Sequence, residues 1–183
     1  MTRERDMNHT PEKVASFILR HTPEAARQWP CFLGPTGAGK TARARAIAAE
    51  LGLRMVTLLP ATSLPEDILG LPVVKDEETL WTLTDWAKAS REEPCLIFID
   101  EADKARPETV GALLTLMSGL QVRDVALHPA TRILVAMQPV DRAEFLSTET
   151  GRAFAARMVF VPVQYDRARI AAMFGLDAAA LAS

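Results

Sequence analysis

Ten residues, "FLGPTGAGKT" from Phe32 to Thr41, hold three glycines, a lysine and a threonine within and directly after a short apolar run. Gly34, Gly39, Lys40 and Thr41 match the spacing G-x-x-x-x-G-K-[ST], the pattern of a phosphate-binding loop, or P-loop. The alternative is an ordinary surface loop between two elements. The spacing favours the phosphate-binding interpretation.

Each residue type in this pattern has a physical role toward a nucleotide. Glycines adopt backbone angles barred to other residues and let the main chain approach a ligand closely. Successive backbone N–H groups then form an anion-binding concavity, and the following helix adds its positive N-terminal end. We assign Lys40 to the β- and γ-phosphates and the Thr41 hydroxyl to Mg²⁺. The predicted nucleotide-binding residues are Gly34, Pro35, Thr36, Gly37, Ala38, Gly39, Lys40 and Thr41.

The residues around the motif have the composition of a strand and a helix, which a P-loop must join. The stretch Cys31–Leu33 before the motif is short and apolar. The stretch after Lys40 is rich in alanine, and Gly52 is placed to end a helix. Apolar residues recur there at helical spacing, at Ala44, Ile47, Ala48 and Leu51.

A second candidate motif is the apolar run Leu96–Ile99, which ends in Asp100 and Glu101. A carboxylate at the carboxyl end of a buried strand projects where α/β proteins bind ligands. We therefore expect Asp100 to hold Mg²⁺ through water and Glu101 to accept a proton from an attacking water. The alternative is that the two acids only mark where a strand meets solvent.

The Asp–Glu pair separates two reaction types that share a P-loop. A small-molecule kinase of this size transfers the γ-phosphoryl group to a bound substrate and must exclude water. An acid placed to activate water is unsuited to that task. The pair therefore favours nucleotide hydrolysis over phosphoryl transfer to a metabolite.

The 183 residues carry a net charge of -2, and 49% of them are hydrophobic. These values predict one globular domain and give no support for a strongly basic nucleic-acid surface. Cys31 and Cys95 lie in apolar runs, which indicates buried reduced thiols and a cytoplasmic protein. The charged start has no apolar core, so we expect no signal peptide. No apolar stretch approaches the length of a membrane span.

Strand and helix patterns alternate along the chain, which predicts an α/β fold with a parallel sheet. The expected sheet strands are Cys31–Leu33, Leu53–Leu59, Cys95–Asp103, Arg132–Met137 and Met158–Val163. A first helix is expected after Thr10, with its apolar face at Val14, Phe17, Ile18 and His21. A second "TPE" at Thr22 suggests another short turn of helix.

Two segments between the strands carry weaker patterns. Three prolines and a glycine in residues 60–74 predict mostly loop, and residues 79–90 predict a strand piece that turns into a helix. The stretch Gln121–Arg132 alternates and is expected to be a hairpin that turns at His128–Pro129. We interpret His128 as a turn residue rather than a metal ligand. The three tryptophans, Trp29, Trp81 and Trp86, are expected in core or interface packing.

Four stretches of the chain together resemble the AAA+ ATPases, and within them the MoxR-like group related to dynein AAA modules. They are "FLGPTGAGKT", "LPEDILGLPVV", "LIFIDEADKARPETVGALLTLM" and "HPATRILVAMQPVD", and the resemblance runs from about Thr10 to about Val163. It implies a three-layer P-loop NTPase fold with a parallel five-stranded sheet in the order 5-1-4-3-2. It also implies a ring, commonly a hexamer, with ATP between neighbouring subunits.

The resemblance assigns roles to individual residues. Lys40 and Thr41 look like the Walker A pair, and Asp100 and Glu101 look like the Walker B pair. The family's sensor 1, usually an asparagine before proline, falls on Gln138. Because the side chain of glutamine is longer than that of asparagine, its amide group lies at a different distance from the γ-phosphate and the lytic water.

The segment before the fifth strand resembles the one from which family members contribute an arginine finger to a neighbouring subunit. The matching residue is Arg157, and Arg152 is a second candidate. A finger supplied in this way contributes a rate factor on the order of 10³ or more, so the isolated subunit is expected to be nearly inactive. The predicted catalytic residues are thus Glu101, Gln138 and Arg157.

The resemblance weakens after the fifth strand, where family members add a helical lid with a sensor-2 arginine. We expect this lid to be reduced, absent or supplied elsewhere, and Arg167 and Arg169 come too early to be assigned as sensor 2. The predicted organisation is a disordered tail over 1–9, a nucleotide-binding core over 10–165 and a short helical segment over 166–183.

The resemblance implies an ATP- and Mg²⁺-dependent subunit of a ring that remodels a protein client, often with a von Willebrand A-domain partner. The Gln121–Arg132 hairpin would approach the pore of that ring. Two alternatives stay open. One is a nucleotide-gated binding module with little turnover, favoured by Gln138 and the missing lid. The other is a nucleic-acid-acting ring NTPase, against which the charge of -2 argues.

Overall fold

The computed structural model describes residues 10–21, 28–139 and 142–165. The α-helices in these ranges are α1 (Pro11–His21), α2 (Lys40–Leu51), α3 (Pro65–Leu69), α4 (Asp85–Glu92), α5 (Pro107–Gly119), α6 (Arg142–Ser147) and α7 (Glu149–Ala155). The strands are β1 (Trp29–Leu33), β2 (Arg54–Leu58), β3 (Leu71–Lys75), β4 (Glu78–Thr82), β5 (Cys95–Ile99), β6 (Gln121–Val122), β7 (Val125–Ala126), β8 (Arg132–Met137) and β9 (Met158–Pro162). A turn of 3₁₀ helix, Ala102–Lys104, follows β5, so the third sheet strand ends at Ile99 and not at Asp103 as predicted.

Five of the strands form one parallel sheet in the order β2-β5-β8-β1-β9. Counted among themselves along the chain, these strands are in the order 2-3-4-1-5. Read from the other edge of the sheet, this is 5-1-4-3-2. The predicted α/β fold with a parallel five-stranded sheet is confirmed.

The central strands β5 and β8 form the core of the sheet. Strand β5 is buried along its whole length, and β8 is buried from Ile133 to Met137. Such continuous burial is typical of parallel strands that are covered by helices on both faces. It explains why these two segments read as unbroken apolar runs in the sequence.

The helices pack on the sheet in two groups. Helix α1 contacts α2 and β1, whereas α5 contacts α3 and α7. The Trp29 indole Nε1 donates a 3.1 Å hydrogen bond to the carbonyl oxygen of Met117, which ties β1 to α5. Ion pairing of Arg43 with Glu12 ties α2 to α1. The ion pair holds the helix that follows the P-loop against the helix that precedes β1.

Helix α1 buries a face that differs in part from the predicted one. Its buried residues are Ala15, Ser16 and Leu19, whereas Phe17 is 64% exposed. Phe17 lies against His21 instead, with ring centroids 4.5 Å apart. The prediction gave weight to large apolar side chains, whereas small residues allow α1 to lie close to its neighbours.

The chain between β2 and α4 is more ordered than predicted. Residues 60–74 were expected to be mostly loop, but β3 pairs with β4 as an antiparallel hairpin that includes the second half of that stretch. Its two turn residues, Asp76 and Glu77, have positive φ of 52° and 66°. Two successive positive φ values are typical of a type I′ turn, whose two central residues are often Asn-Gly. Because neither residue is a glycine, this turn has no recognisable signal in the sequence.

The second hairpin turns at a different place from the predicted one. Strands β6 and β7 are two residues long and turn at Arg123–Asp124 rather than at His128–Pro129. His128 does begin a turn of its own, because its carbonyl oxygen accepts from the Thr131 N–H at 2.9 Å. The Arg123 guanidinium lies 3.5 Å from the Trp81 ring centroid and joins this hairpin to the β3–β4 hairpin.

Several predictions fall outside the described residues. These are the tail over 1–9, the helical turn at Thr22 and the C-terminal segment 166–183. Cys31 and Cys95 are buried and are not joined in a disulfide, as predicted. Within the described ranges, no helix combines the length and the apolar character that crossing a bilayer requires.

Two glycines offer a matched test of the helix assignments. Gly52 ends α2 with a φ of 66°, and a Cβ there would meet no atom within 4 Å. We expect Gly52→Ala to destabilise the fold by about 1 kcal/mol, because only the left-handed backbone opposes the side chain. Gly111 lies inside α5, also with open space around a Cβ. We expect Gly111→Ala to stabilise by about 0.5–1 kcal/mol.

Urea denaturation of both variants and the parent chain measures these differences. Equal shifts of the two midpoints in the same direction would contradict the assigned backbone conformations.

Candidate functional site

Three adjacent parallel strands, β1, β8 and β5, have their carboxyl ends on the same side of the sheet. Their registers pair Leu33 with Met137 and Val135 with Ile99, so the residues after each strand lie side by side. The P-loop follows β1, Gln138 follows β8 and Asp100 follows β5. The sheet thereby brings together three segments that are far apart in the sequence.

The P-loop uses its glycines for two different reasons. Gly37 and Gly39 have positive φ of 79° and 77°, which glycine adopts without steric cost. Gly34 is needed for space, because a Cβ there would overlap the carbonyl oxygen of Val163. Helix α2 begins at Lys40 directly after the loop. Its N-terminal end therefore adds positive potential next to the loop.

A cavity of about 230 Å³ lies where the three segments meet. The predicted loop residues Gly34, Pro35 and Ala38 lie in the P-loop but not in the cavity lining. Ala136 and Met137, at the end of β8, form a part of the wall that the sequence patterns did not indicate. The lining thus includes most of the predicted site. Its residues are Thr36, Gly37, Gly39, Lys40, Thr41, Asp100, Glu101, Ala136, Met137 and Gln138.

The Lys40 side chain is held inside the loop. Its Nζ donates to the carbonyl oxygens of Gly34 at 2.7 Å and Pro35 at 2.9 Å, and the residue is 9% exposed. Burial lowers the pKa of Lys40 below its usual value of 10.5, and the nearby carboxylates of Asp100, Asp103 and Glu101 only partly offset this effect. The site therefore holds a desolvated cation beside an open cavity.

Thr41 and Asp100 are in direct contact. The Thr41 Oγ1 donates to the Asp100 Oδ2 at 3.0 Å, and Asp100 Oδ1 accepts the Glu101 N–H at 3.0 Å. Mg²⁺ in phosphate sites takes one or two protein oxygens and fills its other positions with water and phosphate. A hydroxyl and a carboxylate at this separation fit that requirement. The described residues contain no cluster of three or more His, Cys, Asp and Glu for an all-protein metal site.

Glu101 has an unusual backbone. Its φ is 52°, in the left-handed region that residues other than glycine seldom adopt. Glu101 is one of the cavity-lining residues, and its carboxylate forms a 3.1 Å ion pair with Lys104. Backbone strain of this kind clusters at functional sites because the surrounding structure must enforce it. The conformation turns the chain out of β5 and leaves the Glu101 side chain at the cavity.

Gln138 is fixed by a residue that sequence analysis did not single out. Its backbone N–H donates to the Asp103 Oδ1 at 3.1 Å, and Asp103 is buried. Asp103 belongs to the "IDEAD" run, three residues after Asp100. The presence of a further acid so close to the motif was a usable signal. The fold thus links the segment after β5 to the end of β8.

Arg157 lies at the other end of the sheet. Its carbonyl oxygen accepts the Trp29 N–H at 2.8 Å, at the start of β1, whereas the P-loop follows the end of β1. A five-residue strand is roughly 16 Å long, so Arg157 does not reach the cavity of its own chain. Its Nε donates to Ser118 Oγ at 2.7 Å. Arg152 is exposed on α7, and its Nη1 donates to the carbonyl oxygen of Ser147 at 2.7 Å.

A parallel sheet whose first strand runs through a glycine-rich loop into a helix defines the P-loop nucleotide-binding class. Residues 30–159 match the family described as "ATPase family associated with various cellular activities (AAA)". The chain therefore belongs to the AAA ATPase family. AAA ATPases bind nucleotide, typically with Mg²⁺, and family members typically oligomerise into rings.

Curated relatives are identical to this chain at about a third of the aligned positions. The chain is 32% identical over 148 residues to the nuclear valosin-containing protein-like protein of Mus musculus, covering 75% of this chain and 16% of that protein. It is 34% identical over 123 residues to the protein NorQ of Paracoccus denitrificans, covering 64% of this chain and 38% of that protein. The chain thus spans well under half the length of either relative.

Solved structures share the fold. A crystal structure of NtrX from Brucella abortus in complex with ADP has a TM-score of 0.57 and 22% sequence identity, covering 88% of this chain and 39% of that one. At this level of identity the likeness concerns the fold.

The lowered pKa of Lys40 predicts a pH dependence. A buried lysine loses its proton at lower pH than an ordinary lysine, and only its protonated form attracts phosphate. We expect the affinity for ATP–Mg²⁺ to be highest below the Lys40 pKa and to fall as the pH rises through it. Isothermal titration calorimetry at increasing alkaline pH measures this fall.

The matched control is Lys40→Arg, which keeps its charge up to a pH above about 12. The alkaline loss of affinity should be absent from this variant even if it binds more weakly. The same alkaline fall in both proteins would show that another group is responsible.

Proposed function

We propose that this chain is an ATP-binding and ATP-hydrolysing subunit of a ring-forming AAA+ assembly that remodels a protein partner. The observation that carries the proposal is the contact of Thr41 with Asp100, 3.0 Å from Oγ1 to Oδ2, beside the buried ammonium of Lys40. Hydrolysis of a metal-bound triphosphate needs these three groups around the same phosphates. Membership of the AAA family supports the same activity.

In this proposal each of the site residues has a separate role in ATP hydrolysis. The P-loop amides and Lys40 hold the β- and γ-phosphates, and Glu101 accepts a proton from the attacking water. The water oxygen bonds to the γ-phosphorus, the bond to the β–γ bridging oxygen breaks, and ADP and phosphate leave. Mg²⁺ held by Thr41 and Asp100 would supply charge neutralisation for the phosphate oxygens.

The first alternative is a nucleotide-gated binding module with little turnover. It is favoured by Gln138, whose backbone is anchored to Asp103 at 3.1 Å while its side chain is longer than the asparagine usual in AAA+ proteins. An amide displaced by one methylene would orient water less well. The two functions differ in turnover and share nucleotide binding.

Ring assembly is part of the proposal because Arg157 lies a strand length from its own cavity. An arginine in that place has a role in hydrolysis only at the cavity of a neighbouring subunit. Arg152 stays the second candidate, since it is exposed on α7. Rings of relatives support this arrangement by family analogy, which does not by itself fix function.

The client is proposed to be a protein. The β3–β4 hairpin exposes apolar side chains, with Val74 74% and Leu71 55% exposed, and its turn carries Asp76 and Glu77. Apolar side chains and an acidic turn fit a protein surface better than the phosphates of a nucleic acid. A MoxR-like chaperone role, a von Willebrand A-domain partner and a cytoplasmic location complete the proposal. The similarity of this chain to NorQ supports the MoxR-like part of the proposal.

The first prediction of this proposal concerns Glu101. We expect Glu101→Gln to keep the affinity for ATP–Mg²⁺ and to lower the hydrolysis rate by about 100-fold or more, because a general base contributes about 10²–10⁴. Lys40→Ala should abolish binding itself. Calorimetry measures binding, and phosphate release measures turnover.

The matched control is Glu92→Gln on the exposed end of α4, which should change neither quantity. A wild-type rate no higher than that of Glu101→Gln would favour the gated module. Undiminished ATP affinity of Lys40→Ala would contradict nucleotide binding at this cavity.

The second prediction concerns the neighbouring subunit. We expect Arg157→Ala to lower turnover about 10³-fold without changing ATP affinity, and the solution mass to increase when ATP–Mg²⁺ is added. Mixing Arg157→Ala with Glu101→Gln should restore activity, because the arginine of one subunit then meets the base of the other. The same experiment with Arg152→Ala separates the two candidates.

A chain that stays monomeric with ATP–Mg²⁺ would contradict the ring. An arginine variant that stays inactive after mixing with Glu101→Gln, in a mixed assembly confirmed by mass, would contradict a finger at the arginine tested. Binding of DNA or RNA that weakens with added salt would favour the nucleic-acid alternative.

A further inference from the structure

Tyr165 touches the P-loop from outside the cavity. Its Oη donates a 2.7 Å hydrogen bond to the carbonyl oxygen of Thr36, and its ring lies 3.8 Å from where a Cβ on Gly37 would be. It is the single tyrosine in the sequence and is 54% exposed. It does not belong to the cavity lining, whereas Thr36 and Gly37 do.

The segment that carries Tyr165 is held firmly beside the loop. The Val163 N–H donates to the carbonyl oxygen of Leu33 at 2.8 Å, just before the P-loop begins. A side chain on Gly34 would strike the Val163 carbonyl. Residues 163–165, which follow β9, therefore contact the P-loop both at its start and at its apex.

The apex of the loop is a β-turn over Pro35–Ala38. The Ala38 N–H donates to the Pro35 carbonyl at 3.3 Å, and Gly37 in the third position has a φ of 79°. A positive φ at that position is typical of a type II turn, whereas a type I turn has about −90° there. The two turn types differ chiefly in the orientation of the central peptide, here the bond between Thr36 and Gly37.

The orientation of this peptide decides where the Gly37 N–H points. A trans peptide is planar, so its C=O and N–H point in opposite directions, and the described chain has no cis peptide bond. Because Tyr165 lies outside the cavity lining, we infer that the Thr36 carbonyl that accepts its hydrogen bond points away from the cavity. The Gly37 N–H is then turned toward the cavity, where it can donate to a phosphate oxygen.

We propose that Tyr165 is a positioning residue that holds the Thr36–Gly37 peptide with its N–H toward the phosphates. The inference deepens the proposed function and rests on nucleotide binding at this cavity. Without the hydroxyl, glycine at Gly37 permits the turn to flip, and a carbonyl oxygen would then face the phosphates. The effect of Tyr165 therefore concerns the phosphates and not the base of the nucleotide.

The first arm of the test measures affinity by calorimetry for ATP–Mg²⁺, ADP–Mg²⁺ and inorganic tripolyphosphate. We expect Tyr165→Phe to weaken all three by the same factor of about fivefold, which corresponds to one lost hydrogen bond. The exposed neighbour Gln164 supplies the matched control, since Gln164→Ala should leave all three unchanged. Thermal unfolding checks that each variant is folded.

The second arm observes the peptide directly by NMR. Thr–Gly pairs occur only at 36–37 and 150–151, so ¹³C-carbonyl threonine with ¹⁵N-glycine selects two amide signals. Gly151, whose N–H donates to the Thr148 Oγ1 at 2.9 Å, serves as the internal reference. We expect tripolyphosphate to shift the Gly37 signal strongly in the wild type and less in Tyr165→Phe.

The outcomes separate the hypotheses. Weaker binding of both nucleotides with unchanged binding of tripolyphosphate would overturn the inference in favour of a contact between Tyr165 and the base. Unchanged affinities and an unchanged Gly37 shift in Tyr165→Phe would overturn the inference alone. A wild-type protein that binds none of the three ligands would overturn the proposed function and this inference with it.

Discussion

Leu33 pairs with Met137, and Val135 pairs with Ile99, in one continuous parallel register across β1, β8 and β5. Because side chains alternate between the two faces of a strand, a slip of β8 by one residue would exchange its faces and displace Gln138 from the cavity. The buried lengths of β5 and β8 oppose such a slip, since every side chain would lose its packing. The packing of these central strands, together with the glycine loop that holds the Lys40 ammonium, places Lys40 and the carboxylate of Asp100 at the same cavity.

Lys40 is the point where stability and ligand binding conflict. Its ammonium is almost buried and donates to two backbone carbonyls, yet its pKa is lowered, so loss of hydration outweighs the attraction of the nearby carboxylates. A nonpolar side chain in this place would avoid that cost. Phosphate oxygens carry more negative charge than carbonyl oxygens and would compensate the desolvated ammonium better. The buried lysine is therefore explained by a ligand rather than by the needs of the fold.

Sequence patterns located the parts of the site that depend on local spacing. The P-loop, the acids of the β5 segment and the five sheet strands follow from glycine spacing and apolar runs. The structure has the five strands near the predicted places, but β5 ends at Ile99, before the acids that were predicted as part of it. The patterns failed where a turn lacks its usual residues or where long-range contacts decide the outcome. The β3–β4 hairpin turns through Asp76 and Glu77 without a glycine, and helix α1 buries small residues in place of Phe17. The contacts of Asp103 with Gln138 and of Tyr165 with Thr36 join residues that no periodicity relates.

The charges around the cavity bear on the choice between an ATPase and a gated module. Among the described residues that line it, Lys40 is the one cation, facing the carboxylates of Asp100 and Glu101. The transition state of phosphoryl transfer spreads negative charge over the γ-phosphoryl oxygens, and cations that neutralise it accelerate the reaction. Arg157 is fixed at the opposite end of the sheet, roughly 16 Å away along β9. The described part of one chain is thus equipped to bind a triphosphate but short of positive charge for its hydrolysis. The choice between an ATPase and a gated module therefore depends on whether a guanidinium from outside the described part of this chain reaches the open side of the cavity.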